Sequence, residues 1–331
     1  MGQRERKERA QESQDRRHGS SSSARLAMIV AMQPLDGTHR SPSQPLPDLA
    51  ADCHMHVFGP FERYPLAAER AYNVPEAQLY SHERFKLQVG LERTVLVQAS
   101  GYGEDNRAML AALARLGARG RAVAVLPVGF PVEEMQSMHA AGVRGLRLNL
   151  VTLASRHSGD RAQLVGDYER MLAPLGWHLQ VFADIATLQS LEPVLRRCGV
   201  NVVVDHMGLP DAAAGIEQPG FQALLRLLAA KHVWVKLAGA DRITRASGRL
   251  RDAIPFIRAL AAAAPERLVW GSDWPHIGFH ARRQVQDHEP LPFRALDAAE
   301  LLDVLIEAVP DAEARRAILA GNPAKLYGFE P

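Results

Sequence analysis

The amino-acid sequence predicts an α/β protein that folds as a TIM (β/α)8 barrel. Short apolar segments alternate with amphipathic segments of helical periodicity through one continuous run of the chain. That run contains eight strand–helix units, the number that closes such a barrel. Polar residues fall where the apolar segments end, and the carboxyl ends of the strands are where this architecture places its chemistry.

The apolar segments are mostly runs of Val, Ile and Leu without strict alternation, as is typical of strands buried on both faces of a parallel sheet. We expect strands over residues 49–58, 93–100, 121–128, 145–150, 178–183, 200–206, 233–239 and 268–273. Helical periodicity predicts helices over 106–116, 132–141, 164–175, 185–197, 221–231, 250–264, 297–308 and 312–320.

The first 45 residues precede the predicted barrel. Met1 to Ser23 is rich in Arg, Gln, Glu and Ser and can bury almost no apolar surface. The apolar stretch from Leu26 to Met32 is short for a secretory signal and lacks a small-residue cleavage site. We therefore expect a disordered arm over 1–45 and a single barrel domain over 46–331.

Composition excludes several classes of partner. The net charge is +2 and aromatic residues make up 6% of the chain, so no basic stripe predicts nucleic-acid binding. No apolar run approaches the roughly 20 residues that a membrane-spanning helix needs. Two unpatterned cysteines, Cys53 and Cys198, are typical of a reduced, cytoplasmic protein. Whether the chain forms a homo-oligomer stays open.

Four residues at strand ends form the candidate site. His54 and His56 end strand one on the same face, because side chains at i and i+2 of a strand point the same way. His206 ends strand six and Asp273 ends strand eight. The same end of the barrel receives further polar residues from strands two, four and seven: Gln98, Ser100, Arg147, Asn149, Lys236 and Arg242. This pattern indicates an active site or a metal site.

Five segments resemble the amidohydrolase superfamily, whose barrels are of the metal-dependent-hydrolase type. They read DCHMHVFGP from Asp52, VQASGYGEDN from Val97, GVRGLRLN from Gly142, VDHMG from Val204 and WGSDWPH from Trp270. The resemblance spans about residues 48–329. It is strongest to the branch of 2-pyrone-4,6-dicarboxylate lactonases and related sugar-acid and muconolactone lactonases. It therefore implies a hydrolase that opens a carboxylate-bearing lactone.

The resemblance also implies roles for the site residues. His54, His56 and His206 would surround the lactone carbonyl oxygen, and Asp273 would take a proton from the attacking water. This assignment makes chemical sense independently, because ester hydrolysis needs an activated water and a pocket that stabilises the developing oxyanion.

Metal dependence is less constrained by the sequence. His54, His56, His206 and Asp273 would also make an N3O zinc site with an open position for water. Strand five offers only Gln180, a poor zinc ligand, and His178 near the wrong end of the strand. The pyrone-dicarboxylate lactonases that the sequence resembles work without a divalent metal. We therefore expect no required cofactor, with one divalent ion, most simply zinc, as the alternative.

The expected substrate is an acid, because Arg147 and Arg242 flank the site and a guanidinium grips a carboxylate through paired hydrogen bonds. The resemblance implies that Tyr72 and Ser100 add hydrogen bonds to this acid. One departure concerns the loop after strand four, where the dicarboxylate lactonases carry a second arginine and this chain has Leu153. Arg156 is the nearest replacement. The substrate is therefore either pyrone-dicarboxylate-like or a sugar-acid lactone or muconolactone.

Three other functions share part of this pattern. A zinc-dependent decarboxylase of the same superfamily would usually place a histidine on strand five, where this chain has Gln180. A barrel that binds acids without turnover would not need Asp273 together with all three histidines. A lactone isomerase would use the same residues as a lactonase, so the sequence leaves that alternative open.

Overall fold

The computed structural model describes residues 40–152, 159–279 and 290–330. Eight parallel strands form one sheet in the order β1 to β8. The strands are β1 Ala51–Met55, β2 Arg93–Val97, β3 Gly120–Ala124, β4 Val143–Asn149, β5 His178–Phe182, β6 Val202–Val204, β7 Val233–Leu237 and β8 Leu268–Trp270. This arrangement confirms the predicted barrel.

Helices lie between the strands, as the alternation in the sequence predicts, and three more follow the last strand. They are α1 Leu79–Val89, α2 Arg107–Leu116, α3 Val132–Ala140, α4 Arg161–Leu172, α5 Ile185–Leu195, α6 Pro219–Leu228, α7 Ala240–Ile243, α8 Ile254–Ala263, α9 Ala298–Ala308, α10 Ala312–Arg316 and α11 Asn322–Tyr327. Four of them begin at an aspartate whose carboxylate accepts backbone N–H bonds from the first turn: Asp160, Asp184, Asp297 and Asp311. None of the helices in the described ranges has the length and apolarity that a membrane crossing requires.

All eight strands end one to four residues before their predicted carboxyl ends, and in β6 and β8 this places a candidate site residue beyond the sheet. β6 ends at Val204 and β8 at Trp270, whereas the apolar runs extend to His206 and Asp273. His206 has a φ of 51° and Asp273 a φ of 61°. A residue in the left-handed region cannot continue a strand ladder, so both side chains project from tight turns just beyond the sheet.

The barrel closes between its first and last strands just beyond the regular ladder. Met55 pairs with Trp274 in a parallel bridge, and the His56 N–H donates to the Trp274 carbonyl at 2.9 Å. The Asp273 N–H donates to the His54 carbonyl at 2.8 Å. These bonds join the two ends of the sheet at the carboxyl end of the strands.

The C-terminal residues cover the opposite end of the barrel. Tyr327 and Phe329 are buried with Val95, Val123 and other strand residues in one apolar cluster. Arg121, near the start of β3, donates to the Tyr327 carbonyl at 3.1 Å. This end is therefore packed, and polar side chains converge at the other end.

The N-terminal arm was predicted over residues 1–45, and its first 39 residues lie outside the described ranges. Arg40 pairs with Asp297 at 2.8 Å and with Asp303 at 2.6 Å. The Ser43 N–H donates to the Asp303 carboxylate at 2.6 Å. Chain contacts with α9 thus begin a few residues before the predicted boundary.

Candidate active site

Asp273 and three histidines meet at the carboxyl end of the barrel. The Asp273 Oδ1 atom lies 3.8 Å from Nε2 of His54, 3.7 Å from Nε2 of His56 and 3.9 Å from Nε2 of His206. All four residues are almost completely buried. The structure thus brings together the residues that the sequence predicted, although β1, β6 and β8 are far apart along the chain.

Arg242 holds the other oxygen of Asp273. Its Nε lies 2.7 Å and a terminal nitrogen 2.5 Å from Oδ2. Burial alone raises the pKa of a carboxyl group, but the Arg242 guanidinium offsets burial and holds the pKa of Asp273 well below its usual range. Asp273 is therefore a carboxylate at neutral pH with one oxygen free to face the histidines.

The histidines are uncharged at neutral pH. Burial lowers the pKa of His56 and of His206 to about 4, and that of His54 well below its ordinary value. His56 Nδ1 lies 2.8 Å from the Val97 carbonyl, which can only accept a hydrogen bond. The proton of neutral His56 is therefore on Nδ1, and its Nε2 presents a lone pair to Asp273.

This arrangement fits a divalent cation. The His56 Nε2 lone pair faces a carboxylate oxygen without a hydrogen between them, and the buried Nε2 of His54 has no hydrogen-bond partner among the described residues. Three imidazole nitrogens and one carboxylate oxygen are a zinc-type donor set. The ligating atoms of His54, His56 and Asp273 lie within 4.8 Å of one another. The expectation that no cofactor is required loses support here.

A network of buried charges lies beneath the histidines. Asp205 Oδ2 accepts from Arg147 Nε at 3.0 Å and from Gln180 Nε2 at 2.9 Å, and Lys236 Nζ lies 3.6 Å from Oδ1. Burial works to raise the pKa of Asp205, but its contacts with His54, Lys236 and Arg147 hold it well below its ordinary value. His54 Nδ1 lies 3.3 Å from Asp205 Oδ1, so this buried carboxylate supports the first histidine of the site.

Gln180 belongs to this network and not to the metal-binding set. It donates to Asp205 and accepts a 2.7 Å hydrogen bond from Lys236. His178 is the first residue of β5, at the end where the strands begin, as the sequence predicted. Strand five therefore supplies no additional histidine at the site.

The active-site cavity has a volume of about 220 Å³. It is lined by seven of the eight predicted site residues: His56, Tyr72, Ser100, Arg147, His206, Arg242 and Asp273. His54 is fully buried behind this wall. Tyr72 and Ser100 are joined by a 2.7 Å hydrogen bond between their hydroxyl groups. Phe182 and Phe279 provide apolar wall area, so the cavity suits a small, polar, partly planar molecule.

Two polar residues from the predicted strand ends shape loops instead. Gln98 donates to the Asp105 carbonyl at 2.9 Å, and Asn149 accepts from the backbone of Val151 and Thr152 at 3.1 and 2.9 Å. The predicted departure at Leu153 and its replacement Arg156 lie outside the described residues.

Sequence reasoning missed three residues around the site. Asp205 was visible only as the neighbour of His206, yet it anchors the buried network. Arg245 lines the cavity from the loop after α7. Arg294 approaches Asp273 Oδ2 to 3.8 Å from a distant loop. The two arginines carry no sequence signal, because their place depends on how loops fold over the barrel.

Known proteins resemble this chain over most of its length. The family model described as Amidohydrolase matches residues 51–329. A 2-pyrone-4,6-dicarboxylate hydrolase of Comamonas testosteroni is 33% identical over 305 residues, covering 87% of this chain and 94% of the relative. A 4-sulfomuconolactone hydrolase of Hydrogenophaga intermedia is 31% identical over 284 residues, covering 86% and 90%.

A solved structure shares the fold and part of the sequence. The crystal structure of a Pseudomonas putida protein, described provisionally as a 2-pyrone-4,6-dicarboxylic acid hydrolase, aligns with a TM-score of 0.69. It is 31% identical, and the alignment covers 86% of this chain and 100% of that one. The likeness therefore extends over the whole barrel.

Proposed function

Because this chain belongs to the amidohydrolase family, we propose that it is a hydrolase that opens the ring of a carboxylate-bearing lactone. Membership of the family confirms the resemblance carried by the five sequence motifs. The observation that supports the reaction most directly is the position of Asp273 Oδ1, which faces three neutral imidazoles at the wall of a small cavity. Two of the relatives are named as lactone hydrolases.

Asp273 is the base in this proposal. Arg242 fixes Oδ2, so Oδ1 takes the proton of a water held between the carboxylate and the lactone carbonyl. The water oxygen bonds to the carbonyl carbon, and the bond from that carbon to the ring oxygen then breaks. Asp273 returns the proton to the ring oxygen, which leaves a hydroxy acid and an unchanged enzyme.

The three histidines and Asp273 are the residues that would hold a divalent ion. When bound, such an ion polarises the lactone carbonyl and makes water a stronger acid. His56 alone does not supply this stabilisation, because its only N–H donates to Val97. The buried carboxylate of Asp205 holds His54 and Arg147 in place beneath the cavity.

The substrate acid is bound by Arg147, Tyr72 and Ser100 in this proposal. Arg147 uses Nε for Asp205, and its guanidinium packs 4.6 Å from the centre of the Phe182 ring. Its terminal nitrogens have no hydrogen-bond partner among the described residues, so they can bind a substrate carboxylate. The hydroxyl groups of Tyr72 and Ser100, which are hydrogen-bonded to each other, lie on the same wall. A carboxylate on the lactone therefore orients the ring toward Asp273.

Ring opening by purified protein tests this function. The assay follows loss of pyrone absorbance with 2-pyrone-4,6-dicarboxylate, beside a muconolactone and a sugar-acid lactone, in metal-replete buffer. We expect turnover of at least one lactone and a loss of about 10²- to 10⁴-fold in kcat for Asp273→Asn. Glu134→Gln, which changes an exposed carboxylate on α3, is the control and retains activity. Metal-replete wild-type protein that opens none of these lactones would overturn the proposal.

A further inference from the structure

Two cavities meet above the barrel. The active-site cavity adjoins a larger space of about 560 Å³, here called the outer cleft, lined by eight residues between Asp241 and Asp252, by Phe279 and by five residues between Arg294 and Glu300. Arg245 and Phe279 belong to the walls of both spaces. A substituent that extends from the active-site cavity into the outer cleft therefore passes beside the Arg245 side chain.

Six arginines line the two spaces, and most of them are paired with a carboxylate. Five have a carboxylate partner: Arg147 with Asp205 at 3.0 Å, Arg242 with Asp273 at 2.5 Å, Arg249 with Asp252 at 3.2 Å, Arg251 with Glu307 at 2.9 Å, and Arg294 with Asp241. Arg245 is the exception, because it has no carboxylate partner among the described residues. Its positive charge is thus available to a bound anion.

Phe279 holds Arg245 in position. The Arg245 guanidinium carbon lies 4.8 Å from the centre of the Phe279 ring, and that of Arg294 lies 4.5 Å from the same ring. Contact with an aromatic face occupies the flat side of a guanidinium and leaves its N–H groups at the edge. Those N–H groups match the geometry of a carboxylate or sulfonate.

We infer that Arg245 binds a second acid group of the substrate at the outer end of the active-site cavity, and that the enzyme therefore prefers lactones with two acid groups. This inference rests on the proposed function. The first acid group binds at Arg147 in the inner wall, and the second lies where the active-site cavity opens into the outer cleft. Arg242 is bound to Asp273, the proposed base, and so it is not the residue that binds the second acid group.

Kinetics with paired substrates tests the inference. The ratio of kcat/KM for 2-pyrone-4,6-dicarboxylate to that for 2-pyrone-6-carboxylate is measured in wild type, Arg245→Met and Arg245→Lys. We expect Arg245→Met to lower the ratio about tenfold, chiefly through KM for the dicarboxylate, the loss expected for one charge-assisted carboxylate contact at a partly solvated site. Arg245→Lys keeps the charge but loses the planar fork, so its ratio falls less.

Arg249→Met is the matched control. Arg249 lines the outer cleft too and is exposed, as Arg245 is, but it is paired with Asp252, so removing it leaves the ratio unchanged. If Arg245→Met and Arg249→Met give the wild-type ratio, Arg245 does not bind the second acid group and the inference is wrong.

A binding measurement separates this inference from the proposed function. Isophthalate and benzoate are titrated calorimetrically into wild type and Arg245→Met without turnover. We expect the variant to weaken isophthalate about tenfold and to leave benzoate unchanged. Wild-type protein that opens no lactone but shows this difference would overturn the lactonase and leave the Arg245 site standing. Equal weakening of both acids, or of neither, would overturn the Arg245 site.

Discussion

Arg242 binds one oxygen of Asp273 and leaves the other to the histidines. The Arg242 nitrogens lie 2.7 and 2.5 Å from Oδ2, whereas Oδ1 faces three Nε2 atoms at 3.7–3.9 Å. The backbone of Asp273 is fixed as well, because its N–H donates to His54. The direction in which this carboxylate presents its free oxygen is therefore determined at both ends of the side chain.

We expect Arg242→Met to lower kcat about 100-fold, because a misplacement of the base by about 1 Å costs this much. Arg242→Lys restores a charge without the planar guanidinium that contacts Oδ2 through two nitrogens, and it recovers part of the loss. The measurement is lactone ring opening, with thermal unfolding as a check that both variants fold. An Arg242→Met enzyme with wild-type kcat would show that Asp273 is held without this contact.

Removal of divalent ions should lower activity. We expect chelator-treated protein, with its metal content measured by mass spectrometry, to lose more than about 100-fold in kcat and to regain it with zinc. His56→Asn should reduce the bound zinc per chain under the same conditions, because it removes one of the four donors. Full activity in protein verified as metal-free would contradict this expectation and restore the metal-independent reaction.

Asp205→Asn should destabilise the fold. The substitution leaves Lys236 and Arg147 buried without their carboxylate, and breaking a buried charge pair costs about 3–5 kcal/mol. Denaturant unfolding measures the loss. Asp105→Asn, which removes the partner of Arg107 in a surface pair, is the comparison and should cost far less. Equal losses in the two variants would show that the buried network is not stabilising.

His178 should make the protein sensitive to acid. Burial lowers the pKa of His178 to about 3, whereas the unfolded chain titrates near 6.5. Between these values the unfolded chain binds one more proton, so stability that is complete above about pH 6.5 falls as the pH drops toward 3, by about 1.4 kcal/mol per pH unit.

The variant His178→Met removes this proton-linked loss. We expect the free energy of unfolding, measured with urea at pH 5 and pH 4, to fall less in the variant by about 1.4 kcal/mol. Wild type and variant with parallel pH dependence would show that His178 is protonated to the same extent in the folded and unfolded chains.

Gly271 lies against the first histidine. A Cβ added there would lie 2.6 Å from the Cβ and 2.8 Å from the backbone N of His54, too close for any real contact. We expect Gly271→Ala to displace His54 and to lower both kcat and the melting temperature. Gly166→Ala, in helix α4, meets only the far end of Arg170 at 3.5 Å and should raise the melting temperature. If Gly271→Ala leaves kcat unchanged, the position of His54 does not depend on this close approach.

The sequence predicted the barrel and the central four residues because both depend on local patterns. Apolar runs identify strands wherever they occur, and His54, His56, His206 and Asp273 each follow such a run. The exact strand ends were not predictable, because the runs continue through His206 and Asp273 while the left-handed backbone of these residues ends the ladder earlier.

Helix α1 and Arg245 were missed for different physical reasons. α1 buries His82 and Lys86 on its inner face, so its apolar periodicity is weak. His82 contacts Asp52 at 3.0 Å, which is a tertiary contact that no local pattern contains. Arg245 has the sequence surroundings of any surface arginine, and only the meeting of two cavities distinguishes it.

The bonds that close the barrel also determine when the active-site residues come together during folding. Asp273 reaches His54 and His56 only when its N–H has bonded to the His54 carbonyl and Trp274 has paired with Met55 and bonded to the His56 N–H. During synthesis the two histidines leave the ribosome more than two hundred residues before their carboxylate. A nascent or truncated chain without β8 and the residues after it therefore lacks the base and one of the four metal-binding donors. Catalytic activity requires that both ends of the barrel have joined.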